Sequence, residues 1–213
     1  MDKATMLLAL SVPFMDADED TWETYCSSAA WYEVLDALDG VVDTTRSELN
    51  PDVRRTLDYL PCFANHAAFA SLAFTGGLPT SALPVESLYV ERDAAISPLD
   101  AGASYLQQTA YYMRDITKAL GIVIPDNYRS MPDHLAIELT VGAMLLKSID
   151  SPDASPEDLQ VCREAARDYL ANRFTWLDRY ERHLSAISDV PAFYPALVAA
   201  VRVVTQALSV ELA

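Results

Sequence analysis

The stretch "SMPDHLAIEL", residues 130 to 139, sets Pro132, Asp133, His134 and Glu138 into an otherwise apolar run. A carboxylate beside an imidazole, with a second carboxylate one helical turn on, suits a metal site, an acid/base pair or a polar helix start. A metal site needs three or four convergent ligands, yet the chain has 3 histidines, and neither His66 nor His183 stands at a ligand-like spacing from His134. Cys26, Cys62 and Cys162 are far apart and form no CxxC pair, the pattern of reduced thiols rather than of zinc ligands or a disulfide framework. Hydrolytic chemistry lacks its usual marks: there is no nucleophile elbow, phosphate loop or Cys/His signature. No metal and no cofactor is expected.

A helix start needs least. Ser130 as N-cap with Asp133 three residues later approximates a capping box, Pro132 falls where a first turn tolerates proline, and Asp133 complements the positive end of the helix dipole. His134 and Glu138 then face each other at i and i+4, within reach of a mutual hydrogen bond. From Leu135 to Leu146 apolar residues wrap nearly the whole circumference, which predicts a helix in the middle of a bundle. These residues alone leave open a binding turn or an acid/base pocket.

The elements that must position them are helical almost throughout, and no hairpin signal appears. Trp22, Tyr25, Ala29, Tyr32, Leu35 and Leu38 recur at steps of three and four after acidic residues, predicting an early amphipathic helix that stops at Gly40. Leu159, Cys162, Ala166, Leu170, Leu177, Tyr180 and Leu184 form a stripe opened by Ser155, Pro156 and Asp158, predicting one long helix. Phe193, Leu197, Ala200, Val204 and Leu208 predict a closing helix. Between Gly76 and Ala101 the pattern fails at Gly76, Gly77, Pro79, Pro84 and Pro98. A connection this long is functional or disordered as a rule, and Val85, Leu88, Tyr89 and Val90 are too apolar for a solvated linker, so it is expected to pack on the bundle. The expectation is a single all-α domain over residues 1–213, a helical bundle with a Pro/Gly-rich hinge at about 76–101.

Charge limits the partners. Fifteen Lys plus Arg stand against 31 Asp plus Glu, a net −16, a field that repels nucleic acid and attracts cations. The apolar run after Lys3 imitates a signal peptide, but Asp2 offsets the lysine, no cleavage pattern follows and acidic residues come next. No run reaches the roughly 18 residues of a membrane span. A soluble cytoplasmic protein without stable membrane insertion is expected.

Two segments together resemble a known family. "FASLAFTGGLPTSALPVESLYV" is similar to a pattern in which a Phe-containing helix ends in Phe-x-Gly and runs through a proline-rich connection to Glu-Ser-x-Tyr; "LGIVIPDNYRSMPDHLAIEL" resembles the same family's Pro-Asp-His-x-x-x-Glu-Leu signature, followed in order by "WLDRYERHL" and "FYPALVAAV". The family is that of the TorD/DmsD-like, NarJ-related redox enzyme maturation chaperones, and the resemblance runs from about Phe69 to Ala207. It implies a non-enzymatic all-α chaperone that binds the twin-arginine leader and apoprotein of a molybdoenzyme catalytic subunit and holds it back until cofactor insertion. It also implies peptide contacts at Phe74, Pro84, Glu86, Ser87 and Tyr89 and at Pro132, Asp133, His134 and Glu138. Relatives occur as monomers and dimers. Val85 replaces an aromatic common after the hinge proline, and Val141 and Gly142 replace a Phe-Met pair. The alternative is an enzyme or small-molecule binder working through Asp133, His134 and Glu138 in a bundle pocket.

Overall fold

The computed structural model describes residues 1–76, 78, 81–90, 98–150, 152 and 154–213, with side chains for all of these except 98–107. Among them the chain is all-α: α1 (Lys3–Ser11), α2 (Glu19–Cys26), α3 (Ser28–Thr45), α4 (Pro51–Thr56), α5 (Phe63–Ala73), α6 (Pro98–Ala119), α7 (Leu135–Ile149), α8 (Pro156–Arg173), α9 (Leu177–Ala186) and α10 (Phe193–Glu211). A single isolated bridge, Val85 to His134, is the one β pairing among the described residues. Of the hinge stretch, Gly77, Pro79, Thr80 and residues 91–97 lie outside the described residues.

The core is built on α1, α7 and α10. The run that imitates a signal peptide is an interior helix: Met6, Leu7 and Leu10 are fully buried, and Asp2 caps it by accepting from Thr5 N at 2.8 Å. It lies along α7, whose Leu135, Leu139, Val141 and Ala143 are fully buried. The helix α10 is long and apolar enough to cross a membrane by length and composition, yet 72% of that window is buried inside the bundle against α3, α4, α8 and α9. The parts of the chain before and after the connection therefore interleave: α1 packs on α7, and α3 and α4 on α10.

Three boundaries differ from the periodicity. The early amphipathic stretch is two helices, because Ser27 is extended (ψ 153°) between α2 and α3. Gly40 does not stop α3, since Val41, 4% exposed, continues the buried row of Val34 and Leu38, and burying it outweighs the roughly 1 kcal/mol that glycine costs mid-helix. The long stripe starts as expected, with Asp158 N donating to Ser155 Oγ at 3.1 Å, but breaks after Arg173. Phe174, Trp176 and Leu177 are all buried. Residues 174 and 176 lie on opposite sides of an α-helix, so one straight helix cannot bury both in the same core.

At Gly142 a Cβ would sit 3.4 Å from both Leu7 Cδ1 and Leu170 Cδ2, so the glycine lets α1 and α8 close on α7. Gly142→Ala is expected to be near neutral in urea denaturation, the roughly 1 kcal/mol of helix propensity offsetting a tight contact. Gly142→Leu overpacks the crossing and is expected to lose about 1–3 kcal/mol or more.

Candidate functional site

The segment 82–90 docks by its backbone onto the turn that opens α7. Leu135 N donates to Pro84 O at 2.8 Å and Glu86 N to Asp133 O at 3.0 Å, on either side of the Val85–His134 bridge. Side chains repeat the join: Ser87 N donates to Asp133 Oδ2 at 2.9 Å, and Thr109 Oγ1 of α6 donates to the same oxygen at 3.2 Å. Upstream, Ala82 N donates to Ala73 O at 2.6 Å and Tyr180 Oη to Ala82 O at 3.2 Å. These bonds join parts of the chain distant in sequence, and between them Glu86–Leu88 form a 3-10 turn closed by Tyr89 N on Glu86 O at 2.8 Å.

Beneath the join lies a buried cluster of charge. Arg173, the last residue of α8, pairs through NH2 with Glu86 and through Nε with Glu138 Oε1 at 3.3 Å. Trp176 Nε1 donates to Glu138 Oε2 at 3.1 Å, Tyr169 Oη donates to the Glu138 carbonyl at 3.0 Å, and the guanidinium lies 4.7 Å from the centre of the Tyr112 ring. Glu138 is wholly buried and Glu86 is 8% exposed. Burial raises the Glu86 carboxyl above the ordinary range, opposed by Arg173. Burial, with Glu86 beside it, raises Glu138 much further. Taking charge out of water disfavours the ionised form, and one cation between two carboxylates cannot neutralise both.

Beyond the cluster the Tyr89 ring stacks on Trp176 (5.6 Å, 20°) and meets Tyr180 edge-on at 5.2 Å. Its hydroxyl lies 2.9 Å from His183 Nδ1, and Arg179 NH1 donates to its carbonyl at 3.1 Å. On the other side a cavity of about 360 Å³ is lined by Leu83, Val85, Ser87, Leu88, Met131 and Asp133, with Ala110 and Ser130. Leu88 on its rim is 57% exposed.

The structure thus joins the two sequence motifs but gives their residues separate tasks. Ser87 and Asp133 meet at the cavity, while Glu86 and Glu138 turn inward to Arg173. Pro84 and Pro132 are buried in the join. Phe74 belongs elsewhere, edge-on to Phe69 at 5.5 Å and to Tyr194 at 6.4 Å. The helix begins five residues after Ser130, at Leu135, and its N-cap is His134, whose Nδ1 accepts from Ala136 N at 3.2 Å. The expected His134–Glu138 hydrogen bond is not formed, because each side chain has a different partner. Burial pushes the imidazole down to about 3, so it stays neutral and able to accept. Because the unfolded chain takes up that proton near 6.5, stability contributed by neutral His134 falls as pH drops from 6.5 towards 3. Among the described residues no group of three or more His, Cys, Asp or Glu side chains is arranged to hold a metal.

Sequence reasoning missed Arg173, Trp176, Thr109 and Tyr112. A signal for Arg173 existed: it stands three residues after Leu170 and four before Leu177, on the apolar stripe itself. An arginine on a buried face demands an internal carboxylate.

Compared with known protein families, residues 54–180 match the model of the nitrate reductase delta subunit. The chain has no significant match among curated proteins or solved structures.

Arg173→Met removes the cation that pairs with two buried carboxyls, and near neutral pH is expected to cost about 3–5 kcal/mol relative to wild type. Because the folded carboxyls bind protons more tightly than the unfolded ones, the deficit should shrink as pH falls towards the ordinary glutamate range. Denaturant titrations of both proteins at pH 5 and 8 measure it, and an equal deficit at both would contradict the assignment.

Proposed function

Because the chain belongs to the nitrate reductase delta subunit family, whose members are redox enzyme maturation chaperones related to the TorD/DmsD group, we propose that it is a system-specific chaperone. In this reading it binds the twin-arginine leader of a molybdoenzyme catalytic subunit in the cytoplasm and holds it back from export until the cofactor is inserted. The observation that carries the reading is the meeting of both family motifs at one cavity, where the Asp133 carboxylate lies among Leu83, Val85, Leu88 and Met131.

Such a leader joins a basic stretch to an apolar one, so its receptor needs an acceptor beside an apolar wall. Among the described residues both hydrogen bonds to the Asp133 carboxylate fall on Oδ2. In the proposal Oδ1 takes a client guanidinium, the apolar lining takes the adjoining side chains, and the net charge of −16 steers the basic leader in. Ser87 fixes the carboxylate, Pro84 and Pro132 hold the two strands of the join, and His134 caps the helix below. Glu86, Glu138 and Tyr89 act from behind by holding the connection in place, and Phe74 acts only through the packing of α5. The client is thus contacted by fewer residues than the motif contains.

Charge-assisted bonds to a guanidinium are worth about 1.5–3 kcal/mol, so Asp133→Asn should weaken an Arg-Arg leader peptide roughly tenfold or more. A Lys-Lys version should bind more weakly to wild type, and the difference should narrow in the variant. Raising salt should weaken binding, since the attraction of the −16 chain for a basic leader is screened over about 8–10 Å. Calorimetric titration at two salt concentrations tests all three, and equal affinities throughout would remove Asp133 from the interface. Tyr89→Ala, which deletes the stack on Trp176 and the bond to His183, should make the 82–90 segment protease-sensitive and weaken the peptide while leaving overall helicity nearly intact.

A further inference from the structure

The Glu86–Arg173–Glu138 cluster has one more carboxylate than its cation can neutralise. Glu86 comes from the connection, Glu138 from α7 and Arg173 from α8, so the cluster is an ion-pair link between the 82–90 segment and the bundle. Asp133 adds a third carboxylate nearby. Among the described residues the other charged or titratable groups facing the cluster are Tyr112 from α6 and Tyr169 from α8, and Trp176 at the start of α9 contributes a neutral N–H donor. No second cation is among these described groups. Glu86 and Glu138 bind the same guanidinium in a site almost closed to water, where two ionised carboxylates around one cation are costly unless one of them carries a proton.

We propose that these three residues form a proton-holding latch that keeps the 82–90 segment closed over the start of α7, so that opening the cavity wall releases one proton to solvent. On closing, the Glu138 carboxylate takes a proton from water and the resulting O–H is donated to Glu86, while Arg173 balances the one remaining negative charge. On opening, Glu86 moves into water, the proton leaves, and Glu138 keeps Arg173 to itself. Burial drives the linkage: desolvation raises both carboxyls in the closed form, and Glu86 returns to the ordinary range once exposed. Closure is therefore strongest at low pH and weakens as pH rises from the ordinary glutamate range to the raised value. The latch deepens the peptide-binding reading, for which it would set access to Asp133, but its test needs no peptide.

The Trp176 indole N–H donates to Glu138, so its NMR shift reports that carboxyl, and Trp176→Phe identifies the signal among the 3 tryptophans. The Ser87 amide, bonded to Asp133, reports opening through its hydrogen exchange corrected for the intrinsic chemical rate. In wild type the indole should titrate with a midpoint above the ordinary glutamate range. Below that midpoint opening should rise about tenfold per pH unit, the slope of a one-proton linkage, and above it the slope should vanish. Glu138→Gln keeps a neutral donor and acceptor beside Arg173, and should flatten both curves with the segment still closed. A flat wild-type exchange profile, or an unchanged slope in Glu138→Gln, overturns the latch. If that variant does not fold, the wild-type slope and the indole titration decide. Loss of leader binding with the slope intact would count against the peptide reading alone, and intact binding with no slope against the latch alone.

Discussion

One guanidinium held between two buried glutamates ties together three segments: the end of α8, the first turns of α7 and the connection that crosses them. Burying charge is expensive, and an ion pair of this kind often contributes no more stability than apolar side chains of the same volume. What it supplies is uniqueness. An apolar joint can slide by a residue at small cost, whereas a shift here would strand a buried charge, a penalty of several kcal/mol. The cluster therefore sets the register in which Ser87 finds Asp133.

The backbone enforces the same register from the other side. Leu135 N and Glu86 N reach across to Pro84 O and Asp133 O, so two short segments without regular structure of their own satisfy each other's polar groups. Proline at 84 and 132 suits this arrangement, since neither position needs to donate and Pro132 sits in the turn that His134 N closes on Met131 O at 3.1 Å. The His134 ring finishes it. Kept neutral by burial and set 4.6 Å from Tyr128, it caps α7 with a nitrogen where an aspartate would add another negative charge to an already acidic joint.

Much of this was legible before the structure. The periods gave the all-α class, the Ser155 cap and the closing helix, and the apolar content of residues 83–90 gave a packed rather than solvated segment. The two motifs, distant in sequence, meet in the fold. Helix ends were less legible where a local signal competed with burial, as at Gly40, or where a helix had to break to bury Phe174 and Trp176 together. At Ser130 the capping-box pattern was sound locally, but a turn closed by His134 N on Met131 O and the bridge to Val85 delay the helix to Leu135. The roles within the motif were invisible for a different reason: Asp133, His134 and Glu138 are neighbours in sequence whose partners are Ser87, Ala136 and Arg173, and only the fold assigns them. Of these partners Arg173 alone left a trace, as a charge on an apolar stripe.

The division of labour that results suits a receptor better than an active site. In an acid/base site the titrating groups face a common space in which a substrate can lie, and here they do not. Glu138 faces inward to an arginine and an indole, His134 spends its free nitrogen lone pair on its own helix, and of the three only Asp133 borders the cavity. What borders that cavity with it is mainly apolar and, at Leu88, open to water. Recognition of a segment that is basic at one end and apolar at the other needs little more than this: one oriented acceptor, an apolar wall and a scaffold stiff enough to keep the two together. The buried cluster behind Asp133 provides that stiffness, and because it is built from titratable groups a change of charge there can loosen the joint.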